Sequence, residues 1–291
     1  LHYPLRRQRQ MCIRDSKKAV IPIAGLGTRF LPLSKIIPKE FFPLGSKPII
    51  QHIFDEALQA GVEEFVFVVS PEKKNIFKNF ILKYFKEDKK LISILKRRKK
   101  KKAMETLNEI PKIKYKYIVQ DKPLGDGDAI LRAEKFVKGE PFLVLFGDDV
   151  SFGKIGMITQ LVQVFGKIKK TLLCLYKLPK EKLSAYGVAE VKKISQRLYK
   201  IEGLVEKPKR KPPSNFALVG KYILTPDIFF YLKKIRPENG EIGLVQALKE
   251  KIKDKKEIFG FWVKGRWLEC GDREKWLKSF ITLTKSTKKG R

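Results

Sequence analysis

Several short stretches of this chain combine glycine, charge and position in a way that suits phosphate chemistry. Ala24-Gly25-Leu26-Gly27-Thr28-Arg29-Phe30-Leu31-Pro32 follows directly on an apolar run. Glycines let a backbone approach phosphate closely, and consecutive N–H groups make an anion cradle. The loop is not a dinucleotide fingerprint: Phe30 stands where a third glycine belongs, and no acidic residue ends the second apolar run at Ser70. It is not a Walker A loop either, since G-K-[ST] is missing. Taken alone, it could be a purely structural turn. Pro38-Lys39-Glu40-Phe41-Phe42-Pro43 then places a lysine near the same loop. Gln120 opens Gln-Asp-Lys-Pro-Leu-Gly, and a glutamine at a strand end can both donate to and accept from a pyrimidine edge. Gly125 would leave space for the base, the alternative being an ordinary turn rich in Asp and Gly. Asp148 follows an apolar run and a glycine, a frequent placement for a metal-binding carboxylate, and Mg²⁺ takes a few carboxylates plus phosphates and water. The only histidines, His2 and His52, have no convincing catalytic partner.

These residues need elements to hold them. Apolar runs at 19–23, 65–69, 115–120 and 142–146 read as strands, and helical spacing covers 48–60, 72–86, 90–107 and 126–138. The basic run Lys96–Lys102 falls inside the 90–107 helix. Strands alternating with helices predict an α/β, Rossmann-like, mostly parallel mixed sheet with helices on both faces. In such sheets ligands bind beyond the carboxyl ends of the strands, where Gly25, Gln120 and Asp148 fall. Further on, helices are expected at 154–168, 226–235, 241–253 and from about 272, with strands at 171–177, 216–224 and 257–263. Segments 186–194 and 198–206 read as β-rich and paired. The segment 1–16 lacks periodicity and is expected to be a non-native or disordered leader, leaving 17–291 as one continuous domain.

With these motifs in this order, the chain resembles the sugar nucleotidyltransferase family, in which G-x-G-T-R is followed by P-K-E-x-x-P. Between Lys18 and Pro48 it is similar to the bacterial members that act on UTP and glucose 1-phosphate. The resemblance implies uridylyl transfer to glucose 1-phosphate, giving UDP-glucose and pyrophosphate, with Mg²⁺ as cofactor and a homodimer or homotetramer as the assembly. It gives Arg29 and Lys39 to the triphosphate, Ala24, Gly25, Leu26 and Gly27 to the nucleotide loop, and Gln120 and Gly125 to the base. Ala185-Tyr186-Gly187-Val188, Val205-Glu206-Lys207-Pro208 and Ser214-Asn215 through Val219-Gly220-Lys221-Tyr222 look like the family's sugar segments. They imply Gly187, Glu206, Val219 and Gly220 at the sugar, in a β-rich lobe, and Lys207 on the sugar phosphate. Asp148 and Glu269 would hold the metal, Glu269 standing in Trp267-Leu268-Glu269-Cys270-Gly271 where the family has W-x-D-x-G. A second departure is Gly240-Glu241-Ile242-Gly243-Leu244-Val245-Gln246, where members using UTP carry D-E-I-Q-L-T-D; it bears on sugar selection or subunit packing. The same reaction on dTTP or another sugar 1-phosphate is the nearest alternative, and a weakly catalytic nucleotide sensor is a second.

The formal charge of +33 raises a third alternative, a nucleic-acid binder. Lysines spread over nearly every segment, beside abundant Ile and Phe, fit a coding sequence rich in A and T better, and no nucleic-acid module is present. No specific nucleic-acid partner is expected, although the positive field can draw in anionic substrates. No stretch approaches the roughly 18–20 apolar residues of a membrane span, and no apolar h-region follows the basic start. The widely spaced Cys12, Cys174 and Cys270 form no metal or disulfide framework, which points to a reducing cytoplasm.

Overall fold

The apolar runs are continuous because the strands they form are buried on both faces. In the computed structural model, which describes residues 17–85 and 88–288, the chain-order elements are β1 (Lys18–Pro22), α1 (Ile49–Gln59), β2 (Glu64–Val69), α2 (Pro71–Phe85), α3 (Lys89–Arg97), α4 (Lys101–Asn108), β3 (Lys114–Val119), α5 (Asp126–Arg132), β4 (Phe142–Leu145), β5 (Asp149–Phe152), α6 (Met157–Ile168), β6 (Thr171–Lys177), β7 (Gly187–Lys193), β8 (Leu198–Glu206), β9 (Phe216–Leu224), α7 (Ile228–Lys234), α8 (Leu244–Lys253), β10 (Ile258–Trp262), β11 (Arg266–Glu269) and α9 (Arg273–Lys288). Side chains alternate across a strand, so β1 sends Ala19 and Ile21 to one core and Val20 to the other. Strand β2 divides Phe65, Phe67 and Val69 from Val66 and Val68 in the same way. Helices α1 and α6 cover the first core, with Ile49, Ile53, Phe54, Ile158 and Leu161. Helices α5, α7 and α8 cover the second, with Ile130, Phe229, Leu232 and Leu248. Each such side chain, fully buried, contributes about 1.5–3 kcal/mol.

Nine strands form one sheet in the order β3-β2-β1-β4-β9-β6-β10-β8-β7. The expected parallel arrangement holds for β3, β2, β1 and β4, and again for β6 beside β10. It does not hold for the rest: β9 runs antiparallel to β4 and β6, and β8 antiparallel to β10 and β7. The sheet is therefore mixed rather than mostly parallel. A short turn joins β7 to β8, and a short turn can only reverse a strand, whereas parallel neighbours need a long crossover. Two further differences follow from charge and from long-range pairing. The expected 90–107 helix is broken into α3 and α4 at Lys99, whose φ is 51°; consecutive lysines and arginines repel across i,i+4 spacings. The short strands β5 and β11 pair outside the main sheet, with Asp149 opposite Glu269, a pairing too distant in sequence to read from pattern. Residues 1–16, expected as a leader, lie outside the described residues. No helix among the described residues is long and apolar enough to cross a membrane.

Beneath the site, Lys221 of β9 and Glu56 of α1 form an ion pair at 2.9 Å, with side chains 0% and 7% exposed. Glu56 also accepts from the Ile158 backbone N–H at 2.9 Å, which caps α6. Gly156 has no side chain where a Cβ would meet Glu56 at 2.8 Å. Removing one partner of such a pair leaves an uncompensated charge in the interior. Lys221→Met is expected to lower the unfolding free energy by about 3–5 kcal/mol in urea titration. The double variant Lys221→Met/Glu56→Gln, which removes both charges of this pair, should regain part of that loss; a single-variant cost below about 1 kcal/mol would contradict this account.

Candidate active site

Because β1, β2, β3 and β4 run parallel, their carboxyl ends open on one edge of the sheet, and the glycine loop leaves β1 there. Gly27 sits at φ +67°, in the left-handed region that favours glycine, and Ser34 Oγ donates to its carbonyl at 2.8 Å. A Cβ at Gly25 would meet nothing within 4 Å, so the backbone there is open to a ligand. Three short 3₁₀ turns follow, of which Thr28–Phe30 and Lys39–Phe41 flank Leu33–Lys35 and carry Arg29 and Lys39. Each of these two turns an aromatic side chain inward: Phe30 packs edge-on against Phe42 at 5.1 Å, and Phe41 tilts against Phe77 at 4.9 Å. Anchored this way, the turns present Arg29 and Lys39 to the same region.

Asp148 completes that cluster. Its carboxylate is paired with the Lys39 ammonium, both side chains being mostly buried. Burial works against the charge on Asp148, but Lys39 and then Arg29 outweigh it and hold the carboxyl below the usual range. Burial likewise opposes the charge on Lys39, and Asp148 and Glu40 more than offset it, so the ammonium titrates above the ordinary lysine value. The geometry centres on Gly271. A Cβ there would lie 3.3 Å from Arg29 Nη1, 3.3 Å from Asp148 Oδ2 and 3.4 Å from Glu269 Oε1. A cation and two carboxylates thus converge on the space of one missing side chain. The β5–β11 ladder sets this meeting, assisted by the Cys270 N–H donating to the Asp148 carbonyl at 2.8 Å.

Glu269 is held on both oxygens. Lys275 Nζ pairs with Oε1 at 2.7 Å, and the Tyr186 hydroxyl donates to Oε2. Lys275 also lies over the Tyr186 ring, 4.7 Å from its centre. Burial, then the bond to Glu269, pushes the Tyr186 hydroxyl up to about 12. Tyr186 belongs to the Ala-Tyr-Gly-Val segment, so the expected sugar and metal segments touch. Among the described residues no group of three or more His, Cys, Asp and Glu is placed to hold a metal. Asp148 and Glu269, each already paired with a lysine, would suit a cation that draws its other ligands from phosphates and water.

Gln120 directly follows β3 and is almost wholly buried. Its amide nitrogen donates to the Gly125 carbonyl at 2.9 Å and to Asp128 at 2.7 Å, which fixes the side-chain orientation. Gly125 has a local reason beyond space for a base: φ is +94°, and a Cβ would sit 2.7 Å from the Ile242 carbonyl. Ile242 in turn donates to the Leu124 carbonyl at 2.7 Å and accepts from Gly127 at 2.8 Å. The departing 240–246 segment therefore braces the Gln120–Gly127 loop.

The remaining expected residues lie on the β-rich side. Gly187 of β7 is paired with Glu206 of β8, and a Cβ on it would be 3.0 Å from Glu206 Oε2. Lys207 Nζ is 3.7 Å from Glu206 and exposed; among the described residues no ion pair joins it to Asp148. Gly220 donates from its backbone to Asp149 Oδ2 at 2.9 Å, and Val219 turns its side chain into the core. Arg29, Lys39, Asp148 and Glu269 are brought together, then, while Lys207 stands apart with Glu206. Gly271, Tyr186 and Lys275 join this cluster beyond the residues expected from the sequence. Gly271 and Tyr186 lie inside the quoted motifs, but nothing in the sequence marks Lys275.

A family model described as Nucleotidyl transferase matches residues 18–286. The chain is 36% identical over 266 residues to a UTP–glucose-1-phosphate uridylyltransferase of Komagataeibacter xylinus, covering 90% of this chain and 91% of that one. It superposes on a UDP-glucose pyrophosphorylase complexed with UDP-glucose with a TM-score of 0.82 at 33% identity, covering 93% and 99% of the two chains. A UTP-bound UGPase from Acinetobacter baumannii gives a TM-score of 0.82 at 29% identity, over 92% and 93%.

Asp149, beside Asp148, is buried and accepts from Trp267 Nε1 at 2.7 Å as well as from Gly220. Burial and the neighbouring Asp148 charge outweigh those donors and push its carboxyl up to about 7. Because this lies above the ordinary value of 3.8, the protonated form favours the fold. That contribution is complete below the ordinary value and is lost as pH rises through about 7. Asp149→Asn removes it. Relative to the wild type, the variant is expected to gain stability between pH 5 and pH 8, by on the order of a few kcal/mol in urea unfolding. A difference that does not change with pH would contradict the buried, raised carboxyl.

Proposed function

Because the chain belongs to the nucleotidyl transferase family, we propose that it transfers the uridylyl group of UTP to glucose 1-phosphate, giving UDP-glucose and pyrophosphate. The observation that carries this reading is the convergence of Arg29, Asp148 and Glu269 on Gly271, with Lys39 paired to Asp148. An oxygen of the sugar phosphate attacks the α-phosphorus of UTP in line. A new P–O bond forms, the bond from the α-phosphorus to the bridging oxygen breaks, and pyrophosphate leaves with the electron pair. No covalent nucleophile on the protein is needed. The task is to bring two polyanions together and cancel their repulsion.

The residues divide that task by chemistry. Backbone N–H groups of Gly25, Leu26 and Gly27, beside Ala24, take the triphosphate, while Arg29 and Lys39 offset charge developing at the α-phosphorus. Mg²⁺, bound by Asp148 and Glu269, would supply further charge neutralisation. Gln120 keeps its carbonyl for the N–H of a pyrimidine, its own amide nitrogen being tied to Gly125 and Asp128. Glu206 and Gly187, with the Val219-Gly220 backbone, meet the sugar, and Lys207 reaches its phosphate from the exposed side. The ligands named for the similar structures, UTP and UDP-glucose, support this substrate pair. Gln120 does not separate uracil from thymine, so dTTP is the competitor to test.

Pyrophosphate release with Mg²⁺ should be strongest for UTP with glucose 1-phosphate, in a panel including dTTP, CTP, GTP, ATP and other sugar 1-phosphates. Asp148→Asn should lower it by on the order of a hundredfold or more. Stronger release with another pair would move the substrate assignment; no release with any pair, from folded protein, would end the enzyme reading.

A further inference from the structure

Lys73 breaks a local rule. It is the third residue of α2, where the helix end carries partial positive charge and an ammonium is the wrong sign. It is nevertheless buried, 8% exposed. Ser70 starts the helix, accepting from the Lys73 N–H at 3.4 Å on its hydroxyl and from the Lys74 N–H at 3.0 Å on its carbonyl. With the backbone fixed there, the side chain runs from the end of β2 to the end of the neighbouring β1. Its Nζ donates to the Gly25 carbonyl and lies 3.5 Å from the Ile23 carbonyl. The charge facing it is that of Glu40, a fully buried carboxylate with an oxygen that has no hydrogen-bond partner. Lys39 and Glu72 are the other charged groups near it. A buried lysine at an unfavourable helix end, spent on backbone carbonyls of a glycine loop, calls for a reason outside helix stability.

The planarity of the peptide bond supplies one. In a trans peptide the C=O of one residue and the N–H of the next point in opposite directions. Drawing the Gly25 carbonyl inward therefore turns the Leu26 N–H outward. Among the described residues, the N–H groups of Gly25, Leu26 and Gly27 donate to no backbone or side-chain acceptor. We propose that Lys73 is a positioning residue for the nucleotide loop: it clamps the Gly25 carbonyl from beneath so that the following N–H, that of Leu26, faces the triphosphate. The clamp takes the loop to be the triphosphate cradle, as in the uridylyl-transfer reading above. Lys73 itself touches no substrate.

The test uses the full chain, with UTP binding measured by calorimetry and backbone amide order parameters from NMR relaxation measured over residues 23–28. Lys73→Gln should weaken UTP binding roughly ten- to a hundredfold, as expected for loss of a charge-assisted hydrogen bond. It should also lower the order parameters at Leu26 and Gly27, and raise the KM for UTP more than it lowers kcat. Lys73→Arg, which keeps a cation with several donors, should retain most of the affinity. If the single variant loses its fold, Lys73→Gln/Glu40→Gln removes the lone buried carboxylate and keeps the loop order parameters readable. Unchanged UTP affinity and unchanged order parameters in the Gln variant would overturn the proposal. Failure of the wild type to bind any nucleoside triphosphate would instead sink the uridylyl-transfer reading. In that case loop rigidity still decides the clamp: lower order parameters in Lys73→Gln support it, unchanged ones overturn it.

Discussion

An aspartate taken out of water is costly unless a cation sits against it, and Asp148 meets that condition through Lys39. The pairing constrains much else. Lys39 must arrive on a turn anchored by Phe41 and Phe42, and Arg29 on a turn anchored by Phe30. Glu269 must come from the far end of the chain. It does so because β11 pairs with β5 in a register that sets it opposite Asp149. The space between these groups stays open only because residue 271 has no side chain.

The same region carries more negative charge than two cations can neutralise. Asp149 lies next to Asp148 and is pushed toward its neutral form, while Glu40 is buried with its own carboxyl raised, chiefly by desolvation. Cations from three directions answer this: Lys39 beside the site, Lys73 under the glycine loop and Lys221 in the core behind Asp149. The formal charge of +33 says little about this balance. A few placed lysines set the local chemistry, and exposed ones such as Lys96–Lys102 take no part in it.

Much of this was legible in the sequence, for identifiable reasons. Strands such as Ala19–Ile23 and Phe65–Val69 are apolar throughout because both faces of the sheet are covered. Gly27 is a residue its left-handed conformation requires locally, so the glycine loop is a local signal. What stayed hidden depends on partners far along the chain. Strand direction in the second half follows from how β9 inserts between β4 and β6. Gly125 reads as room for a base, yet the Ile242 carbonyl, more than a hundred residues away, is what a side chain there would strike. Lys275 engages Glu269 from the first turn of α9, and Lys73 reaches the glycine loop from a neighbouring strand end. Neither belongs to a spacing pattern that marks it.

We propose that Arg29, Asp148 and Glu269 work as one unit because Gly271 leaves them a shared space. Gly271→Ala tests it most directly, since the backbone there is not in the left-handed region and alanine adds only a Cβ at 3.3 Å from Arg29 and Asp148. Pyrophosphate release from UTP and glucose 1-phosphate is predicted to fall by on the order of a hundredfold, with the thermal unfolding midpoint close to that of the wild type. Wild-type turnover in a folded Gly271→Ala protein would contradict the account, because the convergence would then have no bearing on the reaction.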